Sequence, residues 1–196
     1  MTRTTDVTSP LPADRAVVHE GWIASVAPED ATGLLAEAYG RQTEKLGRVT
    51  ELTQIGSLYP ALVDLRLRLY AVVDDTPSDI PDWGRRAVAL LTSVLNGCRF
   101  CTVGHVERLG EAGRAELAQA IKTDPLTAAS GDDTVDALFA YVRLLVRHPG
   151  DVAESDIEAL RAAGWDDLAI LDVNNITAYY SYINRVASGL GLTREA

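Results

Sequence analysis

Apolar residues recur at helical spacing along most of the chain, and this pattern restricts the fold more than any other feature. A helix that Pro60 opens carries one apolar stripe, formed by Leu62, Leu65, Leu69 and Val72. No stretch of useful length alternates apolar and polar residues as a half-buried strand does. The sequence therefore predicts an all-α fold, a single-domain helical bundle of about eight helices.

Local signals predict where two of these helices begin or end. Ser78 and Asp79 can cap the helix that carries the longest apolar run. Asn96 and Gly97 should end that helix, because both tolerate the left-handed conformation that often closes a helix. Asp166 can cap a long last helix that runs to about residue 190.

The length and composition fit one folded domain. Of the 196 residues, 47% are hydrophobic, so the chain can bury a sizeable core. Residues 1–20 are rich in Thr, Pro, Asp and Ser, and we expect them to form a flexible N-terminal arm. Residues 21–196 are then the folded domain.

The charge and the apolar segments exclude several partners. A formal net charge of −10 argues against a nucleic-acid binder and against docking on anionic lipid. No apolar stretch is long enough to span a membrane, and residues 1–15 lack the apolar centre of a secretory signal. We therefore expect a cytoplasmic protein, in which a close cysteine pair is more often catalytic or metal-binding than a structural disulfide.

Both cysteines and one histidine fall in a single short motif. Cys98 and Cys101 are three residues apart, and His105 follows four residues later, so a helix places all three along one face. Cys98 falls in the first helical turn, where free backbone N–H groups and the helix dipole favour a thiolate. Arg99 adds a positive charge, and His105 can take the proton of Cys101. The spacing indicates redox chemistry in which the two thiols form a disulfide.

A zinc site, a pair of buried structural cysteines and a thioredoxin-like motif each need different surroundings. Structural zinc takes four ligands, commonly from two pairs, and the sequence has no second pair, although His19 or His148 could add one ligand. Two buried small residues would leave the spacing of His105 as a coincidence. A thioredoxin-like C-x-x-C follows a strand in a βαβ unit, which the helical pattern disfavours.

The motif and its flanks resemble one known family. Residues 96–105 read Asn-Gly-Cys-Arg-Phe-Cys-Thr-Val-Gly-His and resemble the signature of the AhpD-like alkylhydroperoxidases, within the carboxymuconolactone decarboxylase superfamily. Residues 85–95 resemble the helix that leads into this motif. Residues 178–187 resemble the closing helix of the subgroup called peroxidase-related proteins, and residues 160–167 also resemble members of this subgroup. The resemblance extends over roughly residues 22–192.

The resemblance implies a fold, an activity and partners. It implies an all-helical protein that forms homo-oligomers, often trimers or hexamers, and that uses no haem, flavin or metal. It implies reduction of a hydroperoxide by the cysteine pair, which a dithiol protein or a small thiol then reduces again. In the family pattern Cys101 attacks the peroxide and Cys98 resolves the product, whereas the helix-dipole argument makes Cys98 the more acidic thiol.

One position departs from the family pattern. The proton relay of the family usually includes a Glu twelve residues before the first motif cysteine, and Arg86 occupies that position here. The carboxylates that could replace this Glu are Asp82, Glu107, Glu37 and Glu44. Without a carboxylate, His105 would be less well oriented and less basic.

This departure supports a rival function. The alternative is a homo-oligomer of the same fold that is non-catalytic, or that uses the cysteine pair as a redox sensor with weakened chemistry. Lactone decarboxylation, a third option within the superfamily, gives the cysteine pair no role. The leading hypothesis remains a thiol-dependent peroxidase that uses Cys98, Cys101 and His105.

Overall fold

A computed structural model of the chain describes residues 17–19 and 21–193. In this part of the chain, the secondary structure is almost entirely helical, as the sequence predicts, with nine α-helices, eight of which have at least seven residues. The helices are α1 (Gly33–Leu46), α2 (Glu51–Gln54), α3 (Pro60–Asp74), α4 (Asp82–Leu95), α5 (Arg99–Glu111), α6 (Ala115–Thr123), α7 (Asp133–Arg147), α8 (Glu154–Ala162) and α9 (Asp167–Gly189). Short 3-10 turns lie at Pro28–Asp30 and Pro149–Asp151.

The described chain starts with a short β-hairpin. Strand β1 (Val17–His19) pairs antiparallel with β2 (Ala24–Val26), so the expectation of no strand is wrong at this point. Three residues a strand are too few to show an alternating pattern, which explains why the sequence did not reveal them. Residues 1–16 and 20 of the predicted arm lie outside the described residues, so the predicted flexibility stays a prediction.

The chain divides into two compact units. Among the described residues, the first unit comprises those up to Val72 together with Leu190–Leu192. Its core contains Val26, Leu35, Ala38, Tyr39 and Val63. The Tyr39 hydroxyl donates to the carbonyl oxygen of Val26 at 3.0 Å, which satisfies the polar end of a buried ring.

Helix α3 buries two charged side chains beside the core residue Val63 and exposes an apolar stripe. Asp64 and Arg66 are buried: Asp64 forms ion pairs with Arg41 and Arg68, and Arg66 donates to the hydroxyl of Thr53 at 2.8 Å. The stripe that the sequence marks as the apolar side is instead exposed, and it comprises Leu62, Leu65, Leu69 and Val72. Periodicity locates an apolar face but does not show what covers it.

The second unit, Val73–Gly189 with Thr193, is organised around α4. Every residue from 87 to 93 is buried, because this helix packs against α5, α6, α7 and α9. A helix surrounded on all sides needs an apolar sequence all round, which the run from Ala87 to Leu91 provides. Thr92 satisfies its buried hydroxyl by donating to the carbonyl oxygen of Val88 at 2.8 Å.

A buried ion pair joins α4 to α9. Arg85 of α4 pairs with Asp172 of α9, whose side chain is fully buried. Arg85 also donates to the carbonyl oxygens of Val73 and Asp74. Burial raises the pKa of Asp172, while the Ser78 hydroxyl and Arg85 act in the opposite direction. Because Ser78 donates to Asp172, it does not cap α4, and Pro81 occupies the N-cap position instead.

The other two predicted helix boundaries, the end of α4 and the start of α9, are confirmed. Asn96 is the C-cap of α4, and Gly97 follows with a φ of +70°. Asp166 accepts a hydrogen bond from the backbone N–H of Ala169 at 2.8 Å and so caps α9. Along the described stretches, none of the helices has both the length and the apolar composition to cross a membrane.

Candidate functional site

The cysteine motif begins in the turn between α4 and α5. Cys98 is the N-cap of α5, one residue earlier than the first-turn position that the sequence suggested. Its backbone N–H donates to the carbonyl oxygen of Ser93 at 3.0 Å, which ties the start of α5 to the end of α4. Gly97 makes the sharp turn between the helices in a left-handed conformation that costs glycine little.

The two thiols are within bonding reach of each other. Their sulfur atoms are 2.8 Å apart, both cysteines are free, and the backbone N–H of Cys101 donates to the Cys98 sulfur at 3.4 Å. Both residues are buried, with 1% of Cys98 and 7% of Cys101 exposed. The pair is therefore arranged to form a disulfide within one helical turn, and Cys101 is the more accessible member.

The surroundings of Cys98 stabilise its thiolate. The side chain of Cys101 contributes most, and together with its backbone N–H and the side chains of Ser188 and Asn184 it lowers the pKa of Cys98 to about 6. Burial acts in the opposite direction, because it penalises the charged form. Hydrogen bonds to the thiolate outweigh this penalty, so at neutral pH the pair holds a negative charge.

A polar network that centres on the buried Asn184 of α9 supports this position. Asn184, which is 1% exposed, donates to the Ser93 hydroxyl at 3.0 Å and accepts from the Asn96 amide at 3.1 Å. The same Asn96 amide donates to the Ser181 hydroxyl at 3.2 Å. Asn184 and Ser188 are four residues apart and share one face of α9, from which both bond to Cys98.

The sequence interpretation did not identify Asn184 or Ser188 as site residues. A signal was present: Asn184 lies at a buried position of α9 between the apolar residues Ile183 and Ala187. A polar amide at such a position requires partners, since an unsatisfied buried amide is costly. The sequence does not show that the partner is a cysteine 86 positions earlier.

His105 lies on the same helix as Cys101, one turn later, and is buried. Burial, with a smaller contribution from the Arg108 charge, lowers the pKa of His105 to about 3. The ring makes an edge-to-face contact with Tyr180, with the ring centroids 4.6 Å apart. At neutral pH His105 is an uncharged imidazole, which can exchange a hydrogen bond but is a weak base.

Asp82 and Glu107, the suggested relay carboxylates of the second unit, are not partners of His105. Asp82 accepts from Arg86 at 2.7 Å on an exposed face of α4. Glu107 is exposed on α5, and Glu37 and Glu44 are exposed on α1 of the first unit. Among the described residues, no carboxylate contributes to the pKa of His105. Arg86 therefore occupies the position of the relay Glu, and no carboxylate of the described residues takes over the role of that Glu toward His105.

The histidine and cysteine positions also bear on the zinc alternative. Within the residues that the structure describes, no three His, Cys, Asp or Glu side chains come together in a group that could hold a metal ion. His148 ends α7 and lies 4.0 Å from Asp151, away from the cysteine motif in sequence. The side chain of His19 lies outside the described residues.

Comparison with known proteins places the fold. No protein-family model matches the sequence, and no curated protein matches it. Solved structures do match. A peroxidase-related protein from Ralstonia eutropha JMP134, described as an alkylhydroperoxidase AhpD core, superposes with a TM-score of 0.80 and 19% identity, over 89% of this chain and 92% of that one. The chain has the AhpD-like fold.

Two further structures share this AhpD-like fold. A peroxidase-related protein from Silicibacter sp. TM1040 has a TM-score of 0.73 and 24% identity, over 82% of this chain and 85% of the other. A debrominase in complex with 2,3,4-tribromopyrrole has a TM-score of 0.70 and 16% identity, over 85% of this chain and 87% of the other. The predicted architecture is thus confirmed, and the chemistry must be argued from the site.

Proposed function

We propose that the protein is a thiol-dependent peroxidase of the AhpD-like type, which reduces a hydroperoxide with the Cys98–Cys101 pair. The observation that carries the proposal is the arrangement of the thiols: neither is in a disulfide, their sulfur atoms are 2.8 Å apart, and Cys98 is stabilised as a thiolate at neutral pH. A thiolate next to a second thiol is what two-electron reduction of a peroxide requires. The peroxidase-related neighbours of the same fold add support.

The chemistry balances with these two thiols alone. A thiolate attacks the outer peroxide oxygen, the O–O bond breaks, and the sulfur becomes a sulfenic acid while an alkoxide leaves and takes up a proton. The second thiol then attacks the sulfenic sulfur, and a disulfide forms as water leaves. A dithiol, either a protein or a small thiol, reduces the disulfide by exchange and becomes oxidised itself.

We assign the attack to Cys101, as the family resemblance implies. Cys101 is the more exposed of the two residues, and it can pass its proton to the Cys98 thiolate across the 2.8 Å contact. The low pKa of Cys98 then serves the return step, because a stabilised thiolate is a good leaving group when the reductant attacks Cys101. Neutral His105, one turn away, can hydrogen-bond the leaving oxygen.

The test is peroxide consumption by the reduced protein, in single turnover and at steady state, with free thiols counted before and after. We expect both thiols to be lost in the first turnover and consumption to continue with a dithiol present. Cys101→Ser should lose all consumption, while Cys98→Ser should form a sulfenic acid once and stop. Thiols that stay reduced under excess hydroperoxide would refute the proposal.

One observation favours the redox-sensing alternative. His105 has no carboxylate partner among the described residues and is a weak base, so proton delivery is slow in comparison with a complete relay. A sensor would form the disulfide in one turnover, but no dithiol would sustain consumption of peroxide.

Because a debrominase shares the fold, a brominated pyrrole is a suitable second substrate to test in the same assay.

A further inference from the structure

Arg66 of α3 is a buried cation that has no carboxylate partner among the described residues. It is 8% exposed, and its described partner is the hydroxyl of Thr53, to which Nη2 donates at 2.8 Å. Its Nε and Nη1 groups have no partner in this part of the chain, and neither is fully enclosed, so an atom of a ligand can reach them. A buried charge without a counter-ion costs free energy, and an anionic ligand can offset that cost.

The partner of Arg66 belongs to a chain of hydrogen-bond donors. The hydroxyls of Thr53 and Thr50 contact each other at 3.1 Å. The Thr53 oxygen also accepts from Arg66, and the Thr50 oxygen accepts from the Gln42 amide at 3.4 Å. The Gln42 oxygen accepts from the backbone N–H of Thr50 at 3.0 Å. Two hydroxyl protons therefore share one contact, and whichever proton makes it, the other has no acceptor among the described residues.

The four side chains of this donor cluster come from three helices and differ in depth. Gln42 lies on α1, Thr50 is the N-cap of α2, Thr53 lies on α2, and Arg66 lies on α3. Arg66 and Thr53 are buried, whereas Gln42 and Thr50 are partly exposed. All four belong to the first compact unit. The folded unit therefore holds the donors together before a ligand binds, which lowers the entropic cost of binding.

The charges near the donor cluster leave it positive. Two acids close to it in sequence pair with other arginines: Asp64 with Arg68 at 2.9 Å, and Glu51 with Arg48 at 3.1 Å. A guanidinium beside neutral donors selects an anion that offers several oxygen atoms. The planar fork of Arg66 matches two oxygens of a carboxylate or a phosphate group, as an arginine does in other oxyanion sites.

We propose that Arg66, Thr53, Thr50 and Gln42 form a binding site for one oxyanion group, a carboxylate or a phosphate. Arg66 donates to the anion through its N–H groups that have no described partner, and the remaining hydroxyl proton of the two threonines donates to it as well. The site is independent of the cysteine chemistry, so its test does not depend on peroxidase activity.

The first experiment titrates the full chain with sodium phosphate and with sodium acetate, each against sodium chloride at equal ionic strength. Calorimetry measures the affinity, and thermal unfolding measures the shift in melting temperature. We expect one anion to bind per chain and the melting temperature to rise with its concentration. Phosphate alone identifies a phosphate site, acetate alone a carboxylate site, and both a general oxyanion site. A wild type that binds neither anion more tightly than chloride would overturn the proposal.

The second experiment asks whether Arg66 holds the anion. Arg66→Gln keeps a polar side chain and should weaken binding about tenfold or more, because it removes the charged donor. Arg68→Gln is the matched control, since it removes the same charge from the same helix at a side chain that is 65% exposed. It should leave the affinity unchanged, because salt screens an exposed charge. Equal losses in the two variants would show a response to net charge only and would refute the site.

The third experiment keeps the buried charge, in case Arg66→Gln does not fold. Arg66→Lys replaces the fork with a point charge and should weaken binding about threefold to tenfold. In the wild type, the ¹⁵N NMR signal of the Arg66 Nε–H group, assigned by its absence from Arg66→Lys, should shift as the anion is added. An affinity that Arg66→Lys leaves unchanged, or an Arg66 signal that does not move while the anion binds, would contradict the proposal.

Discussion

Replacing Cys101 with alanine removes the group that lowers the pKa of Cys98 most. A hydrogen bond to a charged group contributes about 1.5–3 kcal/mol, and one pKa unit corresponds to about 1.4 kcal/mol. Loss of this donor should therefore raise the pKa of Cys98 from about 6 to between about 7 and 8. At pH 7 the thiolate fraction would fall from about nine tenths to between about a tenth and a half.

The matched variant is Cys101→Ser, whose hydroxyl can still donate to the Cys98 sulfur. We expect its Cys98 pKa to lie between those of the wild type and of Cys101→Ala. Each single-cysteine variant reports on Cys98 alone, through the ultraviolet absorbance of the thiolate and the rate of alkylation by iodoacetamide as functions of pH. In the wild type, mass spectrometry can assign the alkylated residue.

Two results would refute this reasoning. One is a wild-type Cys98 that titrates near its ordinary value of 9.0, which would mean that burial cancels the effect of the hydrogen bonds. The other is a Cys101→Ala variant whose Cys98 still titrates near 6, which would transfer the effect to Asn184, Ser188 and the backbone. The second result would leave the acidic thiol in place and change only its cause.

Three further predictions concern the buried groups. The unfolded chain binds a proton at His105 below the ordinary pKa of 6.5, while the folded chain does so only near pH 3, so the free energy of unfolding should fall as the pH drops through this range. His105→Gln should make that fall smaller when the free energy of unfolding is measured by urea titration at each pH. Arg85→Met should lower the free energy of unfolding by about 3–5 kcal/mol in the same titrations, because it leaves the Asp172 carboxylate buried without its cation. The double variant with Asp172→Asn should be more stable than Arg85→Met alone, and equal stability would contradict the ion-pair argument. Asn184→Ala should slow alkylation of Cys98 at pH 7 and destabilise the fold by about 1–3 kcal/mol, since it removes a thiolate donor and the partner of the buried Ser93 hydroxyl and the partly buried Asn96 amide. An unchanged alkylation rate would show that the Asn184 amide acts only on stability.

Local sequence patterns correctly predicted several helix boundaries. Pro60, the pair Asn96 and Gly97, and Asp166 mark helix ends that follow from the conformation or hydrogen bonding of one or two residues. Ser78 failed as a cap because its hydroxyl bonds to Asp172, 94 residues away. A short-range rule cannot anticipate such a partner when both groups are buried by tertiary packing.

The sequence by itself determined the helical character of the chain and the placing of Cys98, Cys101 and His105 along one helix, because both depend on spacing within a few turns. The tertiary structure decided what these residues can do. Packing of α9 against α4 and α5 brings Asn184 and Ser188 to Cys98 and lowers its pKa, and burial of His105 keeps the imidazole neutral. It also decided that α3 exposes Leu62, Leu65 and Leu69, since a helix can bury either face and only its neighbours determine which one.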